Sequence, residues 1–286
     1  MSGRSRLQAA LAAKDQVWGG WVVGPTAIGP EEYARCGYDY VGFDTQHGYL
    51  DDADVAGLLR RLEHVPIGTA VRLPSAAPAP IGRVLDAGAD AVIIAMVETP
   101  EQASAAVAAT RYAPAGVRSF GPLRASLGIN PVDLETRAGV YVMIETAAAL
   151  PAVAEICAVP GLSGVYVGPA DLAISLGHGL GEMTTAPAVV DAIDTIQRAA
   201  AAAGLVAGIH AGDGRTGKAM AQRGFRMITL ASEAQALRRG AQEHLRDAGG
   251  GAAAHHAPVL VRARARRRSP RPTRPYCRPP EPVRRL

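Results

Sequence analysis

The feature of this chain that most constrains its fold is a regular alternation between short apolar segments and alanine-rich helical segments. Eight apolar runs rich in β-branched residues have the character of strands buried on both faces: Trp18–Val23, Tyr40–Thr45, Ile67–Leu73, Ala91–Val97, Val140–Thr146, Gly164–Val167, Val206–His210 and Arg226–Ala231. The helical patterns between and after them are Ala53–Glu63, Ala79–Ala87, Pro100–Arg111, Ala147–Ala158, Pro187–Ala203, Thr216–Arg223 and Glu233–Arg246. Because doubly buried strands that alternate with helices form parallel sheets, the pattern predicts an α/β fold.

The number of repeats predicts the architecture. Eight strand patterns and their helices between Trp18 and Arg246 are typical of a (β/α)8 TIM barrel. The alternative is an open, doubly wound sheet, but no Gly-x-Gly-x-x-Gly motif follows the first strand. We therefore predict that residues 1–248 form a single barrel domain.

Residues 249–286 differ in kind from the rest of the chain. Glycine and alanine give way to Arg-Ala and Arg-Pro repeats, which cannot build an apolar core and therefore predict a disordered basic tail. Ten arginines against the single acid Glu281 give this segment a charge of +9, so the net charge of +4 leaves −5 for the first 248 residues. The acidic body gives no indication of a nucleic-acid partner.

The sequence also predicts the surroundings of the protein. No run is long and uncharged enough to cross a bilayer, so we expect no membrane partner. The three cysteines, Cys36, Cys157 and Cys277, are spaced for neither a disulfide framework nor a zinc site. We expect Cys36 and Cys157 to be small core residues, and we expect the protein to be cytoplasmic.

Two long connections interrupt the regular spacing. Tyr112–Val132 is rich in glycine and proline, and we expect it on the C-terminal side of the fourth strand. Ser175–Thr185 is shorter and follows the sixth strand. Long loops in compact domains are commonly functional, and the C-terminal face of a barrel carries the active site, so both are predicted to serve function.

Polar and aromatic residues stand at the carboxyl ends of the predicted strands, which converge on one mouth of a barrel. They are Trp21, Asp44, His47, Arg72, Glu145, Asp171 and His210. Glu145 and Asp171 end neighbouring strands, and two carboxylates together with water suit Mg²⁺ or Mn²⁺. The alternative is that Glu145 pairs with an arginine while Asp171 caps the turn that follows it.

His47 and Arg72 are the candidates for proton transfer and charge stabilisation. An imidazole titrates near neutral pH and can act as a general base, and either Asp44 or Asp86 could orient it. An arginine at the tip of an apolar strand needs an anionic partner. Arg72 therefore either holds Glu145 or stabilises a developing oxyanion.

The lysines favour metal-assisted over amine-assisted chemistry. The chain has two, Lys14 before the first strand and Lys218 in a helical segment, and neither is expected to point into the mouth. A Schiff-base mechanism therefore lacks its nucleophile. Carbanion chemistry at this site would need a metal ion as the electron sink.

Seven motifs along the chain occur together in order. They are Phe43-Asp-Thr-Gln-His47-Gly48, Val71-Arg72, Leu85-Asp86-Ala-Gly88, Arg111-Tyr-x-Pro-x-Gly116-Val-Arg118, Arg124-Ala-Ser126, Ile144-Glu145-Thr146 and Val167-Gly-Pro-Ala-Asp171-Leu172. Together they resemble the HpcH/HpaI aldolase family of metal-dependent, class II pyruvate aldolases, such as 4-hydroxy-2-oxoheptanedioate aldolase and 2-dehydro-3-deoxyglucarate aldolase. The resemblance covers about residues 5–245 and implies a barrel of the phosphoenolpyruvate/pyruvate type.

The resemblance implies a chemical role for five residues. Glu145 and Asp171 would be the ligands of a divalent metal, Mg²⁺, Mn²⁺ or Co²⁺. His47 would be the base, made more basic by Asp86, and Arg72 would steady the enolate oxygen.

The resemblance also implies a substrate pocket and an assembly. Trp21 stands where the family has an aromatic residue at the pocket. Ala170 and Asp171, which follow Gly168, would receive the substrate carboxylate. The family forms hexamers with sites near subunit contacts, so a homo-oligomer is expected.

Two positions depart from the family pattern. Gln46 stands where the family commonly has Glu before the histidine. Met143 stands where a Gln that contacts substrate often precedes the metal-binding Glu. Met143 removes a hydrogen-bond partner and so bears on which aldehyde is accepted, whereas the metal ligands, base and cation are all retained.

The predicted activity is the reversible cleavage of a 4-hydroxy-2-oxo acid into pyruvate and an aldehyde. One alternative is an acyl-CoA lyase of the citrate lyase β or malyl-CoA type, for which the acidic body offers no basic surface. The other is a catalytically silent barrel that acts as a scaffold. Metal binding that depends on Glu145 and Asp171 would separate an enzyme from a scaffold.

Overall fold

The computed structural model describes residues 3–250. The strands are β1 (Val17–Val22), β2 (Tyr40–Asp44), β3 (Gly68–Leu73), β4 (Ala91–Ile94), β5 (Gly139–Ile144), β6 (Gly164–Val167), β7 (Val206–His210) and β8 (Met227–Ser232). The α-helices are α1 (Arg6–Ala13), α2 (Gly29–Arg35), α3 (Asp52–Arg61), α4 (Pro78–Asp86), α5 (Pro100–Ala108), α6 (Pro131–Arg137), α7 (Val153–Cys157), α8 (Pro169–Ser175), α9 (Pro187–Ala202), α10 (Gly214–Gln222) and α11 (Glu233–Asp247). Residues up to Gln242 form one compact unit, and the described part of a second unit is residues 243–250.

The eight strands close into a single parallel barrel. Each strand pairs with the next in chain order, and β8 pairs with β1 to complete the ring. All eight pairings are parallel, as expected when a helix returns the chain between consecutive strands. The predicted TIM barrel is therefore confirmed, and the open doubly wound sheet is excluded.

Glycines on the strands make room for aromatic rings inside the barrel. A Cβ added to Gly42 would lie 2.2 Å from the Trp21 ring, and one added to Gly208 would lie 2.6 Å from the ring of Tyr166. Small residues opposite large ones let the interior fill in layers without voids. The Tyr40 and Tyr166 hydroxyls both hydrogen-bond Thr229 Oγ1, at 2.8 and 2.6 Å, so these buried polar groups are satisfied.

The long connection Tyr112–Val132 does not lie where the sequence suggested. It follows α5, which has already carried the chain back from the end of β4, so the loop leads into β5 at the N-terminal side of the strands. Its contacts agree, because the Leu123 amide donates a hydrogen bond to the carbonyl of Asp86, the last residue of α4. The expectation of a loop on the C-terminal side of the fourth strand is wrong.

The remaining predictions about organisation have mixed outcomes. Cys157 is buried as expected, but Cys36 is exposed at the end of α2. No helix within residues 3–250 is long and apolar enough to cross a membrane. The predicted disordered tail lies outside the described residues from 251 onward, so its disorder and the domain boundary at 248 stay predictions.

Candidate active site

The carboxyl ends of the strands surround a cavity of about 210 Å³. Its lining consists of Trp21, His47, Arg72, Met143, Glu145, Gly168, Pro169, Ala170, Asp171, Met183 and His210. Of the residues predicted at the site, Asp44 and Asp86 are the two that are not in this set. Three other cavities are larger. Those of about 430 and 620 Å³ are lined largely by segments that precede strands, away from this mouth, and one of about 410 Å³ is lined by Asp213, Gly214, Arg215 and Arg239.

Asp44 joins three parts of the mouth through one buried carboxylate. Strand register places Asp44 of β2 beside Arg72 of β3. Arg72 Nε donates to Asp44 Oδ1 at 2.9 Å, and Arg72 Nη2 donates to Asp44 Oδ2. The indole N–H of Trp21 donates to the same Oδ2 at 3.2 Å. Trp21 and Arg72 are thereby fixed in position, with the guanidinium carbon 5.6 Å from the indole ring centroid.

Asp44 also fixes the segment that carries His47. Its Oδ1 accepts hydrogen bonds from the backbone amides of Gln46, at 3.0 Å, and His47, at 3.1 Å. Burial alone would raise the pKa of Asp44, but the hydrogen bonds and charge of Arg72, with these two amides, hold the pKa below its ordinary value. Asp44 is therefore ionised. It binds the backbone amide of His47 and makes no hydrogen bond to the His47 imidazole.

Glu145 projects into the cavity from the end of β5 and is only 1% exposed. Its Oε1 accepts a hydrogen bond from the backbone amide of Met96 at 2.8 Å. Its Oε2 lies close to the backbone of Gly168. A Cβ at position 168 would be only 2.5 Å from this oxygen, so glycine makes room for the carboxylate. Burial, opposed by the Met96 amide and reinforced by the charge of Asp171, raises the pKa of Glu145. The folded chain thus holds two repelling carboxylates at adjacent strand ends.

This pair of carboxylates fits a divalent cation. No group of three or more His, Cys, Asp or Glu side chains suited to a metal occurs within residues 3–250, so the protein would supply two ligands. Mg²⁺ is commonly held by one or two carboxylates, with water and substrate oxygens completing its coordination. The two alternatives considered from the sequence are not observed, since Arg72 binds Asp44 instead of Glu145 and α8 begins without a side-chain cap.

Two histidines face the cavity. His47 is exposed and lies in the segment after β2. His210 ends β7, and its ring meets the Trp21 ring edge-on, with centroids 5.5 Å apart and planes at 88°. Burial and then the charge of Arg72 lower the pKa of His210 to about 4. His210 lies at the mouth as expected from its place at the end of a strand, although no role is predicted for it.

Asp86 is the one predicted site residue that the structure sets apart. It ends α4, at the N-terminal side of the barrel, and its Oδ1 accepts a hydrogen bond from Arg118 Nη2 at 2.7 Å. Arg118 is almost fully buried and stacks over the ring of Tyr112. Within one chain, Asp86 therefore pairs with Arg118 and lies apart from His47, so its predicted role of making His47 more basic stays a prediction.

Two residues that contribute to the site were not predicted. Met183, from the Ser175–Thr185 connection, lines the cavity, so this loop lies at the C-terminal face, and its functional role stays a prediction. Met96 has φ = 57°, the one non-glycine residue in the left-handed region among residues 3–250. The sequence contains no pattern from which this backbone conformation could be predicted. The position of Asp44 opposite Arg72, by contrast, follows from pairing the ends of two predicted strands.

A family model and several curated relatives point to the same protein family. The family model described as HpcH/HpaI aldolase/citrate lyase matches residues 18–240. A hydroxypyruvate/pyruvate aldolase of Rhizorhabdus wittichii is 38% identical over 233 residues, which cover 80% of this chain and 92% of that protein. A 5-keto-4-deoxy-D-glucarate aldolase of Escherichia coli O139:H28 is 35% identical over 212 residues, which cover 72% of this chain and 82% of that protein.

A solved structure agrees with these sequence matches. The crystal structure of an HpcH/HpaI aldolase/citrate lyase family protein from Burkholderia cenocepacia J2315 superposes with a TM-score of 0.76 at 32% identity. The match covers 84% of this chain and 98% of that chain. The similarity therefore extends over nearly the whole of that structure.

Proposed function

This chain belongs to the HpcH/HpaI aldolase/citrate lyase family, and we propose that it is a divalent-metal-dependent aldolase. The reaction is the reversible cleavage of a 4-hydroxy-2-oxo acid into a smaller 2-oxo acid and an aldehyde. The observation that carries the proposal is a single cavity lined by a carboxylate pair, a histidine and an arginine: Glu145, Asp171, His47 and Arg72. Each has a distinct task in carbon–carbon bond cleavage.

Glu145 and Asp171 would hold the metal, which when bound polarises the 2-oxo acid and stabilises the negative charge that cleavage releases. The raised pKa of Glu145 supports this role, because a cation would relieve the unfavourable burial of its charge beside Asp171. An amine alternative lacks support. Lys14 pairs with Asp39, and Lys218 lies on α10, so neither lysine lines the cavity.

His47 is the base. In the cleavage direction it takes the proton of the C4 hydroxyl, the electron pair of the broken O–H bond becomes the second bond of the aldehyde carbonyl, and the C3–C4 bonding electrons pass into an enolate on C3, C2 and the C2 oxygen. The imidazolium then returns the proton to C3, which yields the keto form of the 2-oxo acid and restores the base. Its exposed position at the edge of the cavity gives His47 access to the substrate hydroxyl.

Arg72 and the start of α8 bind the oxygens of the substrate. Asp44 engages Nε and Nη2 of Arg72, and Nη1 lies 3.9 Å from Met143 Sδ at the cavity wall, from where it can donate to the enolate oxygen. The first-turn amides of α8 at Ala170 and Asp171 would receive the substrate carboxylate, since such amides lack intrahelical partners.

The relatives suggest which 2-oxo acids to test. Several are named hydroxypyruvate/pyruvate aldolase, and others act by name on pyruvate or on a deoxy keto sugar acid. We therefore propose pyruvate and hydroxypyruvate as the candidate donors in the direction of carbon–carbon bond formation. In that direction the donor loses a C3 proton and its enolate adds to an aldehyde.

The decisive experiment follows pyruvate or hydroxypyruvate release from a panel of 4-hydroxy-2-oxo acids. Activity should disappear on treatment with EDTA and return with Mg²⁺, Mn²⁺ or Co²⁺. Thioesters of CoA assayed beside the free acids test the acyl-CoA lyase alternative. Turnover that survives EDTA, or turnover of CoA thioesters alone, would overturn the proposal.

We also propose that the protein works as a cytoplasmic homo-oligomer. The connection Tyr112–Val132 exposes large apolar side chains, with Phe120 52%, Leu123 68% and Ile129 80% exposed. Contiguous exposed apolar groups commonly mark contacts between proteins. Light scattering of the purified full chain should give a mass several times that of the monomer. A monomeric mass at micromolar concentration would contradict the assembly.

A further inference from the structure

One imidazole in the cavity has no task in the proposed reaction. His210 lines the same space as His47, Glu145 and Asp171. Its ring packs edge-on against Trp21, which holds it in one orientation. The Trp21 indole N–H is already used on Asp44, so it cannot satisfy the His210 nitrogens. Among residues 3–250, the His210 side chain makes no hydrogen bond or ion pair that would engage either ring nitrogen.

The charge state of His210 suits recognition of a neutral polar group. Burial, and secondarily the positive charge of Arg72, lower its pKa to about 4. At neutral pH the ring is therefore uncharged, with one nitrogen as donor and the other as acceptor. A hydroxyl group, which both donates and accepts, is the natural complement. A carboxylate would be a poorer match because Asp44, Glu145 and Asp171 already make the mouth acidic.

The order of strands places His210 beside a defined part of the substrate. The metal-binding carboxylates come from β5 and β6, and His47 follows β2 on the opposite side of the ring. A substrate that spans them has its C2 oxygen near β5 and β6 and its C4 near β2. Its C3 would then lie between these positions, and Arg72 of β3 and His210 of β7 line the cavity from opposite sides of the ring.

We propose that His210 is a specificity-determining residue that hydrogen-bonds a hydroxyl on C3 of the donor 2-oxo acid, so that hydroxypyruvate is preferred over pyruvate. This inference rests on the proposed aldolase function. The neighbouring side chains Met143 and Met183 offer only weakly accepting sulfur, so His210 is the group on this flank able to satisfy a buried hydroxyl. A pyruvate donor leaves the imidazole unpaired once the cavity is filled.

The test compares two donors with one aldehyde acceptor in the wild-type full chain and two variants. His210→Leu removes both ring nitrogens and keeps an apolar group against Trp21, whereas His210→Asn keeps one donor and one acceptor. A site that pairs a substrate hydroxyl discriminates against the analogue without it, because its polar groups are otherwise left unsatisfied. For H210L we expect the ratio of kcat/KM for hydroxypyruvate to kcat/KM for pyruvate to fall about 10- to 100-fold, which corresponds to the loss of one such hydrogen bond.

The controls separate recognition from packing. H210N should retain most of the wild-type ratio, and Met183→Leu, which changes another cavity wall, should leave the ratio within about threefold. Because the ring is neutral well above its pKa, the wild-type ratio should also stay constant between about pH 6 and 8.

Three results would overturn the inference. An unchanged donor ratio in an active H210L enzyme removes His210 from donor selection while the aldolase function stands. An equal fall for both donors in H210L and H210N points to a packing role alone. A wild-type enzyme that uses neither donor overturns the aldolase function itself, and the inference with it.

Discussion

At the scale of single residues, the site is organised by a carboxylate that does not line the cavity. Asp44 accepts hydrogen bonds from Trp21, from Arg72 and from the amides of Gln46 and His47. Its side chain is nearly inaccessible, and that of Arg72 is 11% exposed, so each ion is costly to bury without the other. The ion pair therefore both positions and neutralises the guanidinium. It leaves Nη1 at the cavity wall, where we propose that it donates to the substrate.

Arg72→Lys tests whether position 72 needs donors both for Asp44 and for the substrate. A lysine keeps a positive charge beside Asp44 but cannot span both carboxylate oxygens and also reach the enolate, because it lacks the planar fork of donors. Loss of one oxyanion donor typically lowers turnover about 10²- to 10³-fold, and we expect R72K to lower kcat by about that factor.

The companion measurement is the melting temperature. R72K should melt within a few degrees of wild type, whereas Arg72→Ala leaves Asp44 unpaired and should lose about 3–5 kcal/mol of folding free energy. A variant at position 72 that keeps wild-type turnover would show that Arg72 takes no part in the chemistry.

Glu145 provides a prediction about pH and metal. Burial, with the charge of Asp171 adding to it, raises the pKa of Glu145 in the folded state, so the metal-free protein loses stability as pH rises through that pKa. Glu145→Gln removes the charge. In EDTA at pH 8 we expect E145Q to have a higher Tm than wild type, and we expect the difference to narrow as the pH falls towards about 4, where the acid is largely protonated in both states.

Divalent metal should reverse that order. Binding to the folded state raises the melting temperature of wild type, whereas E145Q, with one ligand weakened, should show little shift and little activity. Differential scanning calorimetry with and without Mg²⁺ makes the measurement. A lower Tm for E145Q in EDTA, or an undiminished metal shift, would contradict the assignment of Glu145.

At the scale of elements, the turn after β4 directs a backbone donor to Glu145, the proposed metal ligand. Met96 holds φ = 57°, a conformation that costs an L-residue about 1–2 kcal/mol, and its amide bonds Glu145 Oε1. The side chain is 45% exposed, so it is the backbone geometry and not packing that this position supplies. Strained non-glycine residues of this kind cluster at functional sites.

Two substitutions at Met96 should therefore differ in their effect on stability and metal binding. Met96→Gly permits the left-handed conformation and should keep both fold and metal affinity. Met96→Val adds a β-branched side chain, which is strongly disfavoured there, and should lower the folding free energy by about 1–3 kcal/mol and weaken metal binding. Isothermal titration with Mn²⁺ and thermal melting report the two effects. Equal behaviour of the two variants would mean that the turn is not strained.

The elements also show how far sequence patterns reach. The strands were predictable because runs buried on both faces are almost wholly apolar, and β6 and β7 begin and end where expected. Predicted β4 ran to Val97 but ends at Ile94, because the left-handed turn at Met96 interrupts a run that stays apolar. α2 and α8 went unpredicted because seven residues are too few to display a helical period.

The site residues were predictable where they stand at the carboxyl ends of strands. Residues that end a strand, such as Arg72 and Glu145, reach the mouth in any barrel. Asp86 could not be placed that way, since it ends a helix and its partner Arg118 is 32 residues further along the chain. The charge state of His210 depends equally on three-dimensional burial and on the position of Arg72, neither of which spacing alone supplies.

At the scale of the whole molecule, charge is divided unevenly along the sequence. The segment 249–286 carries +9, and the first 248 residues carry −5. The residues assigned to chemistry all lie between Trp21 and His210, and the family match ends at residue 240. We therefore propose that the barrel domain is catalytically sufficient and that the basic segment is dispensable for turnover.

A chain that ends at residue 248 tests this proposal. Arginine- and proline-rich sequence buries little apolar surface, so its removal should change Tm by less than about 2 °C and kcat by less than about twofold. The truncated protein should also lose affinity for a heparin matrix, because its net charge changes sign. Retention of the metal-dependent Tm shift serves as the control that the site is intact. A tenfold loss of turnover or a changed oligomeric mass in the truncated chain would assign a structural or catalytic part to the basic segment.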